Sequence, residues 1–178
     1  MPGKKNLIRE LSIAYNTEIA GYMFYSAAAE MVEDRRGKNL FSHLANEEFD
    51  HIRVISRISE GLRSGSEPIA YDLALKESAL KEKGAPIFPK ENELIKRLTT
   101  NQTDLNAVKI GIESEEAAVD FYSNLLKDAN SPEEKVFLTK ILEMEKGHLK
   151  MLRWESESLI KTGFWSGYME YSVEKEID

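Results

Sequence analysis

Two histidines of this chain each follow a glutamate by three positions, in the stretches LANEEFDHIRVI and ILEMEKGHLKML. Glu48 precedes His51 in the first stretch, and Glu145 precedes His148 in the second. Residues three apart lie about 60° apart around a helix, so the two members of each pair project from the same side. A carboxylate and an imidazole presented together can hold a transition-metal ion. Either group alone is more often a structural or solvated residue.

The two pairs belong to an internal repeat with a constant offset of 97 residues. Under this offset the stretch EIAGYMFYS lies over EEAAVDFYS without a gap. Agreement at many positions under one offset argues against coincidence, even in a chain rich in glutamate. The offset relates four pairs of identical residues that could do chemistry: Glu18 and Glu115, Tyr25 and Tyr122, Glu48 and Glu145, and His51 and His148.

Each of these glutamates and histidines lies on or beside the apolar side of its helical segment, which is the side expected to be buried. The free-energy cost of burying four ionised carboxylates together in a core is prohibitive unless other charges neutralise them. Two divalent cations would balance the four negative charges, and this balance is the argument for metal. The predicted metal ligands are Glu18, Glu48, His51, Glu115, Glu145 and His148.

Other polar residues near these positions could support the site or could be ordinary core or surface residues. Tyr25 and Tyr122 could be ordinary core aromatics, or their hydroxyls could reach the ligand carboxylates. Asp120 could orient a ligand histidine, as carboxylates beside metal sites often do. His43 has a lysine as its counterpart, so it is expected at the surface or beside the site. Four glutamates without a glutamate counterpart are expected to be solvated: Glu47, Glu113, Glu116 and Glu143.

The elements that must position these residues follow from the apolar pattern. Apolar residues recur at three and four positions over four long segments, which predicts helices over about residues 6–33, 38–63, 104–129 and 132–161. In the stretch SPEE, Ser131 can cap the last helix, Pro132 suits its first turn and Glu134 completes a capping box.

The four helices form two hairpins, over about residues 6–64 and 103–161, joined by a crossover over about residues 65–102. Short turns make antiparallel neighbours, and the long join suits a four-helix bundle. YDLALKESALKEKG and ENELIKRLTT each predict a short helix in the crossover, and the prolines of GAPIFPK interrupt it. We expect residues 1–178 to form one all-α domain, with an aromatic C-terminal tail over residues 164–178.

Composition excludes several classes of function. The chain has no cysteine, so thiolate metal sites, iron–sulfur clusters and a cysteine nucleophile are excluded from it. Its net charge of −7 argues against extended binding to nucleic acid. No apolar run approaches the roughly 20 residues that span a bilayer. The first residues lack the apolar core of a secretory signal, so we expect a cytoplasmic protein without membrane association.

Two glutamates from separate helices plus two Glu-x-x-His motifs form the pattern of di-iron and di-manganese carboxylate bundles. At these residues, and over about residues 6–161, the chain resembles the ferritin-like superfamily and most closely the rubrerythrin-type di-iron domain. The resemblance implies that Glu18, Glu48 and His51 serve one half of the site and that Glu115, Glu145 and His148 serve the other. It also implies that Glu48 and Glu145 bridge the two ions.

Two features depart from the rubrerythrin pattern. Rubrerythrins proper carry a further glutamate one turn after the third-helix ligand, where this chain has Ala118. They also generally end in a cysteine-rich rubredoxin module, which a chain without cysteine cannot form. The resemblance therefore implies a rubrerythrin-like domain whose electrons come from an external donor, such as a rubredoxin-like protein.

Three functions are consistent with these residues. The leading hypothesis is a di-iron oxidoreductase that reduces hydrogen peroxide or oxygen, in keeping with a role in oxidative stress; manganese or zinc could replace iron. The second is a ferroxidase that handles iron, which requires a hollow multimeric shell. The third is a non-enzymatic bundle stapled by a fixed metal such as zinc. A homodimer or higher homo-oligomer is plausible, since FWSGYMEY offers aromatics that need covering, although this tail could equally pack on its own bundle.

Overall fold

The computed structural model describes residues 2–80 and 92–167, and all the regular structure in these ranges is helical. The all-α bundle predicted from the sequence is confirmed. The described ranges hold six helices: α1 (Pro2–Met31), α2 (Arg35–Arg63), α3 (Tyr71–Glu77), α4 (Glu93–Thr100), α5 (Asp104–Lys127) and α6 (Pro132–Thr162). None of them is both long and apolar enough to span a membrane.

The second helix of each hairpin begins at a side-chain cap. The Asp34 carboxylate accepts a hydrogen bond from the backbone N–H of Arg36 at 2.8 Å, and the Ser131 hydroxyl accepts one from Glu134 at 3.1 Å. The two caps occupy equivalent positions under the 97-residue offset. The cap at Asp34 also explains why α2 begins three residues before the predicted start at residue 38.

The capping box predicted at Glu134 differs in one detail. The Glu134 carboxylate turns back along the chain and accepts from the backbone N–H of Asn130 at 2.7 Å, one residue before the expected Ser131 donor. The helix ends at Gly163, whose φ of 76° lies in the left-handed region that favours glycine. Between these signals α6 extends over 31 residues, long enough to carry ligands in its middle.

Helix α1 packs along α2 and α5 packs along α6, as predicted for the two hairpins. The crossover holds both predicted short helices: α3 contacts α2 and α6, and α4 contacts α1 and α5. These contacts tie each short helix to both hairpins. The interruption predicted from GAPIFPK falls within residues 81–91, outside the described residues.

Two apolar clusters flank the middle of the bundle. One contains Leu11, Ile55 and Phe137, and the other contains Phe24, Phe41 and Leu152; all six are fully buried. Because both clusters exclude water, a polar group placed between them must find its partners within the protein. The candidate site lies at this level.

Trp165 and Ser166 of the C-terminal tail pack on the bundle of their own chain, whereas Phe164 is 67% exposed. Trp165 is 3% exposed, meets the ring of Phe41 edge-on at 5.8 Å and donates a hydrogen bond to Asp104 at 2.7 Å. The buried carboxylate of Glu155 accepts from both the backbone N–H and the hydroxyl of Ser166. Trp165 therefore belongs to the core, whereas residues 168–178 lie outside the described residues.

Candidate metal centre

Four helices bring all six predicted ligands to one buried place. Each of these residues is 4% exposed or less, and each of the long helices contributes at least one of them. The candidate ligand atoms form two overlapping groups, within each of which all the atoms lie within 4.8 Å of one another. The first group is Glu18, Glu48, His51 and Glu145, and the second is Glu48, Glu115, Glu145 and His148. Glu48 and Glu145 belong to both groups and so lie between the two halves.

Both histidines present the same ring nitrogen to the carboxylates. Nδ1 of His51 lies 3.2 Å from Glu18 Oε2 and 3.0 Å from Glu145 Oε1. Nδ1 of His148 lies 3.3 Å from Glu145 Oε2 and 3.6 Å from Glu115 Oε2. The two rings stack with their centroids 5.7 Å apart. The centre therefore has approximate two-fold symmetry, as the sequence repeat predicts.

Two tyrosines link the halves across the bundle. The Tyr25 hydroxyl of α1 donates to Glu115 on α5, and the Tyr122 hydroxyl of α5 donates to Glu18 on α1. Burial, together with the neighbouring glutamate charges, raises the pKa of both hydroxyls well above the usual value, so they remain donors. Of the two readings left open by the sequence, the one in which the hydroxyls reach the ligand carboxylates is correct.

The carboxylates do not share one electrostatic environment. Burial, and then the charges of Glu18 and Glu145, raises the pKa of Glu48 well above its usual value. Burial and the charge of Glu145 raise the pKa of Glu115 to about 7. Glu145 is the exception: burial would raise its pKa, but the two histidines outweigh burial and lower it. Positive charge at this centre is therefore what lets the carboxylates ionise together.

The histidines respond in the opposite sense. Burial by itself lowers the pKa of His51, but the charge of Glu145 and hydrogen bonds to the glutamates raise it well above the usual value. The pKa of His148 is raised in the same way, against burial, by the neighbouring carboxylates of Glu115, Glu145 and Glu47. The site thus favours cationic groups at its centre.

The donor set fits a pair of metal ions. Within the part of the chain that the structure describes, four buried atoms have no hydrogen-bond partner: Glu115 Oε2, both carboxylate oxygens of Glu145 and Nδ1 of His148. Buried polar atoms left in this way are costly unless an ion or ordered water satisfies them. Four carboxylates and two imidazoles suit iron, manganese or zinc. Two divalent ions would satisfy these atoms and balance the charge.

The carboxylate that hydrogen-bonds to a ligand histidine belongs to Glu47 and not to Asp120. Asp120, proposed as a partner for a ligand histidine, is exposed on α5. Glu47, expected to be solvated, accepts a hydrogen bond from Nε2 of His148 at 2.7 Å, and its side chain is only 30% exposed. The repeat hid this contact because the counterpart of Glu47 is Met144. The expectation for Glu47 was therefore wrong, because helix α2 turns this carboxylate towards α6.

The remaining polar predictions agree with the structure. His43 lies beside the site, with Nε2 at 3.5 Å from Glu47 Oε2. Glu113 and Glu116 are exposed and pair with Arg97 and Arg153 respectively. Glu143 is exposed as well.

Tyr71 is a neighbour of the site that no sequence signal indicated. This residue opens α3 in the crossover and is 4% exposed. Its ring meets the His51 ring edge-on at 5.9 Å, and its hydroxyl is buried without a hydrogen-bond partner. Since the crossover lies between the repeats, the internal repeat could not point to it.

A comparison with family models matches residues 10–155 of this chain to the model described as rubrerythrin. The matched range spans all six predicted ligands and more than half of the chain. Comparisons with curated proteins and with solved structures gave no significant match.

Proposed function

This chain belongs to the rubrerythrin family, and from that premise we propose that it is a di-iron carboxylate oxidoreductase. It reduces hydrogen peroxide or dioxygen with electrons from a separate donor. One observation carries the proposal: four carboxylates and two imidazoles form two overlapping four-residue groups that share Glu48 and Glu145. Overlapping groups of this kind are suited to two ions that act together on one small oxidant.

Each residue has a defined part in this proposal. Glu18 and His51 hold one position, Glu115 and His148 hold the other, and Glu48 and Glu145 serve both. Two bound ferrous ions would supply the two electrons that convert one hydrogen peroxide and two protons into two water molecules, and the donor would restore those electrons.

The protein around the ligands orients them and excludes water. Tyr25 and Tyr122 hold one oxygen of Glu115 and of Glu18, which leaves the other oxygen of each carboxylate for a metal. Both tyrosines are essentially fully buried, so each hydrogen bond lies in a medium of low polarity, where it is strong. The apolar clusters on either side keep bulk water from the centre.

We propose an electron donor outside this domain, because the domain has no cysteine with which to hold an iron–sulfur centre. A rubredoxin-like protein is the donor that the family resemblance implies. We further propose a cytoplasmic role in oxidative stress and a homo-oligomeric state.

Anaerobic loading with ferrous iron tests the proposal. The protein should bind two ions per chain, oxidise them when peroxide or dioxygen is added, and return to the ferrous state with a chemical reductant. Mössbauer spectroscopy reports the oxidation state, and stopped-flow absorption reports the rate. Glu113→Gln, at an exposed position on α5, is the matched control and should behave like the parent protein. Failure to oxidise with either oxidant would overturn the proposal.

The same experiment separates the other two candidate functions. Iron that leaves the centre and accumulates as mineral within a large shell indicates a ferroxidase. One fixed metal that neither oxidises nor exchanges indicates a stapled bundle. Light scattering and metal analysis on the same preparation distinguish these outcomes.

A further inference from the structure

We propose that Glu47 is a positioning residue that makes the two metal positions unequal. It holds His148 with Nδ1 towards the centre, so the position formed with His148 binds a divalent ion more tightly than the position formed with His51. The inference rests on the proposed function only in requiring that the centre binds metal. It makes no claim about the oxidant.

The contact between Glu47 and His148 defines a tautomer. A carboxylate accepts hydrogen bonds, so the 2.7 Å contact between Glu47 Oε2 and His148 Nε2 places a hydrogen on Nε2. In the neutral ring, Nδ1 then carries the lone pair, and this atom faces Glu145 and Glu115. In this neutral form, the lone pair of Nδ1 points to the centre and is available to bind a metal.

Glu47 is itself held in place. Its Oε2 lies 3.5 Å from Nε2 of His43, one helical turn earlier on α2. Its side chain is 30% exposed, so the carboxylate is partly solvated while it contacts a buried ring. Glu47 thus links α2 directly to the ligand histidine of α6 without entering either group of candidate ligands.

His51 has no such support. Its Nε2 is fully buried and has no hydrogen-bond partner among residues 2–80 and 92–167, while its Nδ1 lies 3.2 Å from Glu18 and 3.0 Å from Glu145. The repeat places Met144 where the other half has Glu47, and a thioether is at best a weak acceptor. A metal bound at Nδ1 of His51 would leave an N–H at Nε2 with no protein acceptor.

Tyr71, which packs on His51, does not replace Glu47. The Tyr71 ring lies edge-on to His51, and the Tyr71 hydroxyl is buried without a partner of its own. A buried donor without an acceptor weakens the state that contains it. The His51 position is therefore the weaker of the two.

Titration of the metal-free protein with Co²⁺ under anaerobic conditions tests the difference. Calorimetry and visible absorption should resolve two steps of unequal affinity. Glu47→Leu should weaken the tighter step by about 10- to 100-fold and leave the weaker step nearly unchanged, as expected when the partner of a ligand histidine is removed. Glu47→Gln, whose amide oxygen can still accept from Nε2, should retain most of the tighter step.

Met144→Leu is the matched control, because it changes the equivalent position in the other half without altering a polar contact. It should leave both steps unchanged. Crystals that contain one equivalent of Co²⁺ should show anomalous density beside His148 rather than His51. Density beside His51, or two equal steps in the parent protein, would overturn the inference.

Histidine NMR gives a readout that does not depend on metal or activity. At a pH high enough for the metal-free His148 ring to be neutral, long-range ¹H–¹⁵N spectra of the parent protein should show the hydrogen on Nε2. Under the same conditions Glu47→Leu should lose the uniform Nε2–H signal, while Glu47→Gln keeps it. An unchanged His148 spectrum in Glu47→Leu contradicts the inference. Stepwise Co²⁺ binding without iron oxidation would refute the proposed oxidoreductase alone, whereas normal oxidation with unchanged Co²⁺ steps in Glu47→Leu would refute this inference alone.

Discussion

The hairpin of α1 and α2 and the hairpin of α5 and α6 carry the same ligands at the same offset, but they surround those ligands differently. His148 hydrogen-bonds through Nε2 to Glu47 of the other hairpin, whereas Nε2 of His51 has no such partner. The crossover residue Tyr71 packs on His51. The residues that face the shared centre occupy equivalent positions in the two hairpins. The residues that contact the outer side of each histidine differ, because different neighbouring segments pack there.

The backbone near the shared carboxylates differs too. At Gly21 an added Cβ would lie 3.3 Å from Cδ of Glu48, a distance tighter than most real contacts. The counterpart of Gly21 is Ala118, which carries a Cβ. Glycine therefore lets Glu48 approach α1 closely, and the other half has no such requirement at the equivalent position.

The largest expected effect comes from removing a shared carboxylate rather than one that serves a single half. Glu48→Ala removes a member of both groups, so we expect paired binding to be lost and metal content to fall towards zero. Glu18→Ala removes a member of one group only, so about one ion per chain should remain. Elemental analysis after anaerobic loading measures both. Equal losses in the two variants would show that the groups do not overlap as described.

A substitution at Gly37 tests how much the packing of Trp165 against the first hairpin contributes to stability. A Cβ at this position would lie 2.5 Å from Cε2 and Cζ2 of Trp165 and 2.8 Å from Cγ1 of Val32. Because the buried indole cannot move freely, we expect Gly37→Ala to lower the free energy of unfolding by about 1–3 kcal/mol. Urea unfolding followed by tryptophan fluorescence measures the change.

Gly147→Ala is the matched control in the second hairpin. An added Cβ there would meet nothing within 4 Å, so the helix should gain up to about 1 kcal/mol. If Gly37→Ala were also stabilising, Trp165 would have to leave its site without cost, contrary to its burial.

The metal-free protein should become less stable as pH rises from about 5 to 8. The pKa of Glu115 is raised by burial to about 7 from an ordinary value of 4.5, so between these values the folded chain binds more protons than the unfolded chain. His51 and His148, with pKa values raised above the ordinary 6.5, act in the same direction at higher pH. The lowered pKa of Glu145 acts in the opposite direction, but only below about pH 4.5.

Urea midpoints in the presence of a chelator measure this dependence. Glu115→Gln should flatten the slope between about pH 5 and 7, and Glu113→Gln on the same helix should leave it unchanged. With bound metal and no chelator the slope should reverse, because the ion displaces these protons and the folded chain then binds fewer protons than the unfolded chain. A flat profile in the metal-free protein would mean that the carboxylates are solvated and keep their ordinary pKa values.

The smallest expected effect is a difference in pH dependence between the equivalent caps of α2 and α6. Asp34→Ala and Ser131→Ala should each cost about 1 kcal/mol at neutral pH, because each removes the acceptor for a backbone N–H. The pKa of Asp34 is lowered, chiefly by its hydrogen bond with Arg36, so its contribution is present above the ordinary value of 3.8 and declines as pH falls below it. Thermal unfolding at two pH values checks this. The penalty for Ser131→Ala should be the same at both.

Most of the centre could be predicted from the sequence because helices and repeats are local signals. The three-residue spacing places Glu145 beside His148 on any helix, and the offset assigns Glu48 and His51 the same arrangement. The sequence also indicated that the tyrosine hydroxyls could reach ligand carboxylates, because each tyrosine lies two helical turns from the glutamate of its own helix. It did not indicate that each hydroxyl donates to the glutamate of the other hairpin.

The sequence-based predictions that were wrong concerned contacts between different helices. Glu47 was judged by the lack of a matching residue in the repeat, yet the orientation of α2 against α6 places it on His148. Asp120 was suggested as a partner for a ligand histidine, but it is exposed on α5. Tyr71 lies in the crossover, where no repeat exists to suggest a role. No pattern within one helix reports which neighbour it will face.

By itself, the sequence of this protein determined the helices, their caps and the six residues that converge, because periodicity and duplication act along the chain. The tertiary structure alone decided which carboxylate lies behind which histidine and which buried atoms lack a partner. It also decided that the ring of Trp165 packs edge-on against Phe41. These outcomes depend on how side chains from distant segments meet across the core, and duplication does not constrain residues that have different neighbours.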